Sequence, residues 1–449
     1  MASFYIDQYG CAKNQTDGEL LSSYLEKAGF KYTEDPAKAA FIIINSCGFI
    51  KSAKQESINA VYEAKMAYPK AKIILAGCLA ERYADDLYEV MPELDGIFGN
   101  GDLSKIVEYM KKVSAAVKKQ TRAAPAIYPQ EGVCTAERNR FFNFKGSVYV
   151  KITEGCSNNC SFCAIPLIRG PVRSRAPKEI VDEIKALVKN GNYEINLIGQ
   201  DLAAYSSSGC DLAGLLKKIS SIKGRFIIRT LYIHPDHFNT NILEIFKNDT
   251  RFVPYFDIPF QSGDDTIIHA MNRKGTAKGY VALVKKIRAE LPDAAIRTTF
   301  LTGFPGETDE AAENTKNFLQ KIAPMWSGCF PYSREEGTPA YSLKNRVPVS
   351  TAKKRAAALE QLQQQITSAQ LEKFVGKDLE ILVEEVFEQD QEEGLALGRA
   401  WFQAPEVDGC VVIRYDKDDE IQCKQMLPGN VVKVKILACT GVDLDGFLL

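Results

Sequence analysis

Three cysteines in the middle of the chain have the clearest chemical potential. They are Cys156, Cys160 and Cys163, in the stretch EGCSNNCSFCA that runs from Glu154 to Ala164. The spacing C-x3-C-x2-C lets three thiolates converge on one face of a tight loop, which suits a 4Fe–4S cluster whose fourth iron stays open to another ligand. A zinc site would need a fourth Cys or His nearby, and the 3 histidines lie far along the chain. Packing alone rarely places loop cysteines at ligand spacing, so the stretch predicts a catalytic cluster.

Three further cysteines follow predicted strands near the amino terminus. Cys11, Cys47 and Cys78 end the apolar runs Phe4–Gln8, Phe41–Asn45 and Lys72–Ala76. In open parallel sheets, ligands bind beyond the carboxyl ends of the strands. We therefore expect these thiols to form a composite metal site at one sheet edge. Three separate buried cysteines are the alternative that spacing alone leaves open.

Alternating strand and helix patterns divide the chain. Over residues 1–112, helical spacing covers Asp17–Ala28, Lys54–Met66 and Arg82–Met91, and its alternation with the strands predicts an α/β domain with a parallel sheet. Residues 113–140 show no clear period and are predicted to be a linker. The alternation resumes over residues 141–373.

That second alternating region predicts a partial (β/α)6 barrel, with its chemistry at the end of the first strand. The predicted strands are Val148–Thr153, Glu194–Ile198, Ile227–Tyr232, Tyr255–Phe260, Ala295–Leu301 and Ser327–Pro331. The predicted helices are Pro177–Asn190, Asp211–Ile222, Asn239–Asn248, Lys278–Leu291 and Thr308–Lys321, followed by a long polar helix over Ser350–Phe374.

The last region, residues 374–449, has β-branched runs, turn signals and no helical period, and it predicts a small antiparallel β-barrel or sandwich. It contains 7 Lys and Arg against 16 Asp and Glu, a net charge of −9, so the rest of the chain carries +8. An acidic domain binds phosphate backbones poorly and suits a basic protein partner.

Other residues at predicted strand ends are candidates for binding. Gly199, Gln200 and Asp201 end one strand, and their polar side chains suit a charged amino acid moiety. Gly303 and Gly306 follow another strand and allow close backbone approach to a ligand. Simple turns are the alternative in both places. The basic run Arg169, Arg173 and Arg175 is either a solvated face or a receptor for an anionic substrate beside the cysteine loop. Asp257, Gln261 and Arg297 at other strand ends are weaker candidates.

Composition indicates a cytoplasmic protein. The amino terminus lacks the basic and apolar regions of a signal peptide, and the apolar runs are too short to cross a bilayer. Without a secretion signal, 12 cysteines indicate reduced thiols or metal ligands rather than disulfides. We expect no membrane association.

The whole chain resembles the methylthiotransferases, a family of radical S-adenosylmethionine (SAM) enzymes. The resemblance rests on the central cysteine triplet with Phe162, on GCAKN at Gly10–Asn14 with Asp17 and Glu19, and on NSC and AGC at Cys47 and Cys78. It implies SAM on the open iron, with Phe162 against the adenine. It further implies a second 4Fe–4S cluster on Cys11, Cys47 and Cys78, a carboxyl-terminal TRAM domain that recruits substrate, and an electron donor such as flavodoxin or ferredoxin.

Two branches of that family compete. Ile165–Pro171, Tyr332–Ala340 and Ala404–Gly409 resemble the branch that modifies an aspartate β-carbon in the twelfth small-subunit ribosomal protein. Gln261–Asp264 instead resembles the branch that modifies an adenosine beside the tRNA anticodon. Because a tRNA-binding domain should be basic, the charge of −9 favours the protein substrate. Outside the enzymes, an iron–sulfur redox sensor or scaffold is the alternative, and cleavage of SAM separates the two.

Overall fold

The computed structural model describes residues 2–118, 121–387 and 393–449. The amino-terminal strands are β1 (Ser3–Gln8), β2 (Lys31–Tyr32), β3 (Phe41–Ser46), β4 (Lys72–Gly77) and β5 (Gly96–Phe98). They form one parallel sheet in the order β2-β1-β3-β4-β5. The helices beside it are α1 (Ala12–Lys27), α2 (Lys51–Ala67), α3 (Cys78–Arg82), α4 (Ala84–Val90) and α5 (Ile106–Lys118). The predicted parallel α/β sheet is confirmed.

Helix α1 begins five residues earlier than its predicted start at Asp17, so that its first turn follows Cys11 directly. The polar residues Lys13, Asn14 and Gln15 are buried in this turn because it packs between the sheet and the central domain. Apolar periodicity cannot reveal a helical turn that buries polar groups. The predicted helix Arg82–Met91 corresponds to α4, but its start is later than predicted, because Tyr83 separates α4 from the preceding helix α3.

The central part is an open six-stranded sheet in which every neighbouring pair is parallel. Its strands are β6 (Ser147–Lys151), β9 (Glu194–Ile198), β12 (Ile227–Thr230), β13 (Phe252–Asp257), β14 (Ala295–Thr302) and β15 (Trp326–Pro331), in that spatial order. Two short antiparallel pairs accompany it, β7 (Thr153–Glu154) with β8 (Arg173–Ser174) and β10 (Ser206–Ser207) with β11 (Cys210–Asp211). The predicted partial barrel is confirmed.

Helices cover the outer face of this sheet. They are α7 (Pro177–Lys189), α8 (Leu212–Ser220), α9 (Ile242–Asn248), α10 (Asp265–Ala270), α11 (Ala277–Glu290), α12 (Asp309–Ile322) and α13 (Val349–Leu371). Helix α6 (Ile165–Arg169) instead packs against α3 of the amino-terminal domain. Strand β13 ends at Asp257 and not at Phe260 as predicted. Pro259 has no backbone N–H to donate to a ladder, so the apolar run beyond Asp257 leaves the sheet.

The carboxyl-terminal part is a closed barrel in the order β16-β17-β18-β20-β19, with the strands β16 (Asp378–Phe387), β17 (Glu393–Arg399), β18 (Val411–Asp416), β19 (Val431–Thr440) and β20 (Asp443–Leu448). One short helix, α14 (Glu420–Gln425), precedes β19. All neighbouring strands of this barrel are antiparallel except β18 and β20, which pair in parallel and close the barrel. Strands β17 and β20 escaped prediction because glycines at Gly394, Gly398 and Gly446 interrupt their β-branched pattern.

The small barrel closes the amino end of the central sheet. Trp326, the first residue of β15, donates from Nε1 to the carbonyl oxygen of Phe402 at 2.6 Å. Tyr255 and Ala295 pack in the same apolar core as Ile413 and Val434 of the small barrel. The two domains therefore share one core, and the carboxyl ends of the central strands are left for a site. None of the described helices combines the length and apolar character needed to cross a membrane.

Candidate active site

One cavity of about 430 Å³ brings the two cysteine triplets together at the carboxyl ends of both parallel sheets. All six predicted ligand cysteines line it, and so do Phe162 and Gln200. Its lining comprises Cys11, Lys13, Asn14, Cys47, Phe49, Cys78, Cys156, Asn158, Cys160, Phe162, Cys163, Ile165, Ile168, Arg169, Gln200, Tyr232, His234, Pro259, Gln261, Arg273, Arg297, Thr299 and Phe330. Two domains thus contribute to one space.

Glycines allow the first triplet to come close together. Gly10 has φ of +87°, and a Cβ there would stand 3.0 Å from the Cβ of Cys47. A Cβ on Gly48 would stand 2.6 Å from the carbonyl oxygen of Cys78. Side chains at either position would therefore separate the strand ends that carry the thiols.

The second triplet lies in a loop that closes on helix α6. Gly155 has φ of +74°, and a Cβ there would stand 2.1 Å from the carbonyl oxygen of Pro171. The N–H of Cys156 donates to the carbonyl oxygen of Gly170 at 3.0 Å. Asn158 donates to Asp201 at 2.9 Å, which ties the middle of the loop to the end of β9. The loop geometry is thus defined before any ligand binds.

Burial governs the ionisation of the thiols. It raises the pKa of Cys47 and Cys163 to about 12 and that of Cys156 to about 11. Burial would also raise the pKa of Cys11, but the positive charges of Lys13 and Arg169 outweigh it and lower that pKa. Thiolates are the ligands of metals, so most of these groups release a proton when a metal binds.

The donor sets fit iron–sulfur clusters. Each set offers three thiols among the described residues, and the thiols surround space instead of closing on a point. Within the described residues, no three Cys, His, Asp or Glu side chains converge on a single-ion site. A 4Fe–4S cluster, whose separate irons take separate thiolates, matches such a set and keeps one iron open.

Arg169 connects the two triplets through a buried ion-pair network. It is 3% exposed, and its Nη2 lies 3.1 Å from Sγ of Cys78 and 2.8 Å from Oδ2 of Asp17. Its Nη1 lies 2.7 Å from Oε1 of Glu154, which stands two residues before Cys156. Lys151 pairs with both of these carboxylates. The network crosses the boundary between the amino-terminal and central domains.

The basic run does not form a solvated face. Arg173 donates to the carbonyl oxygens of Gly132 and Pro171, and Arg175 donates to that of Lys151 and pairs with Glu183. Of the three arginines only Arg169 lines the cavity. Arg173 and Arg175 instead hold the segment after the cysteine loop in place.

Gln200 offers a free acceptor to a ligand. Its Nε2 donates to Glu154 at 3.0 Å, while its buried Oε1 has no partner among the described residues. Its neighbours face elsewhere. Asp201 accepts from Asn158, His234 and His237, and a Cβ on Gly199 would stand 2.1 Å from Oγ1 of Thr153. Neither lines the cavity, and ligand binding by either residue stays a prediction.

Gly303 and Gly306 do not line the cavity, and they also stay predictions as binding residues. A Cβ on Gly303 would stand 2.3 Å from the Cβ of Ala352, so this glycine lets α13 approach the sheet. Gly306 has φ of +92° and open space around it. Between them, Phe304 packs in one apolar cluster with Phe162.

Sequence reasoning missed several residues of the site. Tyr232 and His234 lie just beyond β12, where strand-end reasoning could have found them, and Nε2 of His234 is 3.8 Å from Sγ of Cys160. Burial and the nearby Arg273 lower the pKa of His234 to about 4. Lys13 was visible only as part of the opening motif. Arg273 gave no local signal, because its role depends on the tertiary approach of its loop.

The segment Tyr332–Ala340 braces the first triplet from the central domain. Glu335 is 2% exposed and pairs with Lys54 at 2.8 Å and with Arg82 at 2.7 Å. Arg82 also donates to the carbonyl oxygen of Gly48 at 3.1 Å. Two ion-paired contacts, at Arg169 and at Glu335, therefore hold the two sheet edges against each other.

Comparisons with known proteins agree with this architecture. Residues 3–99 match the uncharacterized protein family UPF0004, residues 150–319 match the radical SAM superfamily, and residues 375–448 match the TRAM domain. Among solved structures, the radical S-adenosylmethionine methyltransferase TsrM from Kitasatospora setae aligns with a TM-score of 0.55 at 13% identity, over 76% of this chain and 74% of that one. At that identity the likeness shows the fold alone.

The fold and the central domain define a radical SAM enzyme of the methylthiotransferase class. Ribosomal protein uS12 methylthiotransferase RimO from Treponema denticola is 52% identical over 98% of this chain and 99% of its own length. RimO from Thermodesulfovibrio yellowstonii is 36% identical, with 99% of both chains covered. The chain therefore belongs to the RimO family.

Proposed function

We propose that this protein transfers a methylthio group to the β-carbon of an aspartate in ribosomal protein uS12. The observation that carries the proposal is that both cysteine triplets line one cavity. A reaction that joins a sulfur atom to an unactivated carbon needs a radical source and a sulfur carrier within reach of the same substrate atom. A redox sensor or scaffold needs no such shared space.

The residues divide into two sets of metal ligands. Cys156, Cys160 and Cys163 hold the cluster that binds SAM, and Cys11, Cys47 and Cys78 hold the second cluster. When bound, these groups and SAM supply the electron, the radical and the methylthio sulfur, which is chemistry beyond amino acid side chains. The chain's own work is to position the reactants and to exclude water.

The walls of the cavity suit these tasks. Phe162 presents an apolar ring for the adenine of SAM, and the free Oε1 of Gln200 accepts a hydrogen bond from the amino group of its methionine part. Gly199 and Asp201 adjoin Gln200 in the sequence, and Gly303 and Gly306 lie on either side of Phe304, which packs with Phe162. We propose that these four residues shape the SAM site without lining the cavity. Phe49, Ile165 and Ile168 complete an apolar lining that keeps water from a reactive intermediate.

Charge and relatives favour a protein substrate. The small barrel lies within residues 374–449, which carry a net charge of −9. This charge attracts a basic ribosomal protein and repels tRNA. The two relatives compared above, which align over nearly their full length, carry the name of the ribosomal protein enzyme. We further propose that the protein works in the cytoplasm, where ribosomes and reduced thiols occur, and takes electrons from a carrier such as flavodoxin or ferredoxin.

Cysteine variants test the proposal. The protein is reconstituted anaerobically with iron and sulfide and incubated with SAM, dithionite and uS12, and the product is read by mass spectrometry. Cys47→Ala and Cys160→Ala should each yield no methylthiolated uS12. Cys210→Ala, a half-exposed cysteine outside the cavity, should yield as much as the wild type. Methylthiolated uS12 from Cys47→Ala would refute the role of the second cluster.

A further inference from the structure

Lys13 is a buried cation in the middle of the proposed active site, and no carboxylate of the described residues pairs with it. It is 8% exposed and lines the cavity that contains both cysteine triplets. Its Nζ lies 3.2 Å from the ring centroid of Tyr232, and among the described residues no carboxylate and no hydrogen-bond acceptor contacts this nitrogen. A buried ammonium is costly unless an anion or several acceptors compensate it.

The other cations of the lining differ from Lys13 in this respect. Each has protein partners in the described part of the chain: Arg169 pairs with Asp17 and Glu154, Arg297 with Asp257 and Asp408, and Arg273 donates to the carbonyl oxygens of Pro259 and Phe260. Lys13 therefore differs from these arginines: in the described part of the chain its charge meets the ring of Tyr232 and acts on the thiol of Cys11, but no carboxylate or carbonyl oxygen pairs with it.

Local structure gives no reason for a lysine at this position. Lys13 is the second residue of α1, at the end of the helix where the macrodipole favours negative charge, and the first turn contains no acidic residue. A cation there costs stability both by its burial and by the helix field. Such a conflict with local preference is typical of a residue whose role is functional.

We propose that Lys13 binds the side-chain carboxylate of the target aspartate, an assignment that rests on the proposed function. The carboxyl carbon is bonded directly to the β-carbon, so an ion pair with Nζ would fix the reacting atom in the space between the two triplets. The step is binding alone, and no bond to Lys13 forms or breaks. The Lys13 ammonium also favours a protein substrate over tRNA, because a neutral adenine would leave this charge without an anionic partner.

Two other anions compete for the same charge, and they are outcomes of the test. The carboxylate of SAM is one. The second is the cluster on Cys11, two residues away, whose thiolates and sulfides carry negative charge. Each predicts a different property that would change when the ammonium is removed.

The experiment compares wild-type protein with Lys13→Met and Lys13→Arg, all reconstituted anaerobically. The matched control is Lys27→Met, which removes the same charge from the exposed last turn of the same helix. Binding to uS12, and to uS12 with the modified aspartate replaced by asparagine, is measured by calorimetry. Iron content, SAM affinity and the reduction potentials of both clusters are measured on the same samples.

Wild type and Lys27→Met should prefer the aspartate form by about 10- to 100-fold, the range of one charge-assisted hydrogen bond. Lys13→Met should bind both forms equally, and Lys13→Arg should keep part of the preference. SAM affinity and the potential of the cluster on Cys156, Cys160 and Cys163 should stay unchanged. If Lys13→Met does not retain iron, Lys13→Arg gives the test instead. It should keep part of the preference for the aspartate form of uS12 over the asparagine form.

Three results would overturn the assignment. The first is an undiminished preference for aspartate in Lys13→Met. The second is a loss of SAM affinity with that preference intact, which would assign Lys13 to SAM. The third is a shifted potential with the preference intact, which would assign it to the cluster. If the wild type modifies uS12, each result refutes Lys13 alone. If the wild type leaves uS12 unmodified, the proposed function fails, and the assignment fails with it.

Discussion

Arg169 shows how one side chain joins the two halves of the site. Its guanidinium contacts the thiol of Cys78, a ligand from the amino-terminal sheet, and Glu154, which leads into the other cysteine loop. All these groups are buried, and the pKa of Arg169 rises well above its ordinary value, because nearby negative groups outweigh the opposing effect of burial. The arginine stays charged in every accessible state, so the network depends on it.

Arg169→Met should destabilise the metal-free protein by about 3–5 kcal/mol, because Asp17 and Glu154 lose a buried partner. The free energy of unfolding in urea measures the loss. Arg173→Met is the control, since Arg173 contacts carbonyl oxygens and no sulfur, and it should cost clearly less. Equal losses in the two variants would show that the network adds no stability of its own.

Gly155→Ala should prevent the cluster on Cys156, Cys160 and Cys163 from assembling. A Cβ at this position would collide with the carbonyl oxygen of Pro171, at 2.1 Å, in a backbone conformation that already favours glycine. Iron and sulfide analysis should fall from two clusters to one. Gly191→Ala is a matched control, because Gly191 has φ of +87° but open space around it. Two clusters in Gly155→Ala would contradict the geometry of the loop.

At the residue scale the sequence was informative where spacing carries the chemistry. We predicted that the six cysteines, Phe162 and Gln200 lie at the carboxyl ends of parallel strands. All of them line the cavity. Their roles as ligands are still predictions. The partners of Arg169 and the isolation of Lys13 were not predictable, because both depend on how two domains approach each other.

At the scale of elements, the segment Ala404–Gly409 links the small barrel to the floor of the site. Asp408 accepts from the hydroxyl of Tyr255 at 2.6 Å and from the N–H of Ala404 at 2.8 Å, and it lies 3.3 Å from Nε of Arg297. Arg297 in turn lines the cavity. The segment Ala404–Gly409 resembles the branch of the family that modifies the ribosomal protein, and in this structure it also connects the small barrel to the cavity wall.

Asp408→Asn should lower the stability of the protein by about 1–3 kcal/mol, because it weakens charge-assisted hydrogen bonds to buried donors. Unfolding in urea is again the measurement. Glu385→Gln removes an exposed acidic charge from the same barrel and should change stability little. If the two variants unfold alike, the segment does not anchor the barrel.

Element boundaries show where sequence patterns fail. Three of the five amino-terminal strands and all six central strands were predicted within a few residues, because most of their runs are apolar on both faces. The short edge strands β2 and β5 were not predicted. The first turn of α1 and the strands β17 and β20 were missed because buried polar residues and glycines replace the expected pattern. In each case tertiary contacts override the local signal.

On the scale of the whole molecule, a second ion-pair network fastens the small barrel to the central sheet. Glu194, the first residue of β9, pairs with Arg229 at 2.7 Å and with Arg399 of the small barrel at 2.6 Å. Burial alone would raise the pKa of Glu194, but Arg399 and Arg229 outweigh it and hold that pKa well below its ordinary value. The acidic barrel and the cavity thus occupy opposite ends of the central strands.

Glu194→Gln should destabilise the protein by about 3–5 kcal/mol at pH 7 because two buried arginines lose their shared partner. A lowered carboxyl pKa contributes stability above the unfolded-state value of about 4.3, and that contribution is lost as the pH falls below it. The difference between wild type and variant should therefore shrink below about pH 4. A difference that is independent of pH would contradict the role of this charge.

The central claim is that the two cysteine triplets act together on a ribosomal protein. The most direct test gives the anaerobically reconstituted protein SAM, dithionite and equal amounts of uS12 and an isopentenylated tRNA in one vessel, with mass spectrometry on both. We predict that one aspartate of uS12 gains SCH3 in place of hydrogen while the tRNA stays unmodified. A methylthio group on the tRNA alone would contradict the account and would show that the Gln261 motif, not the acidic barrel, indicates the substrate.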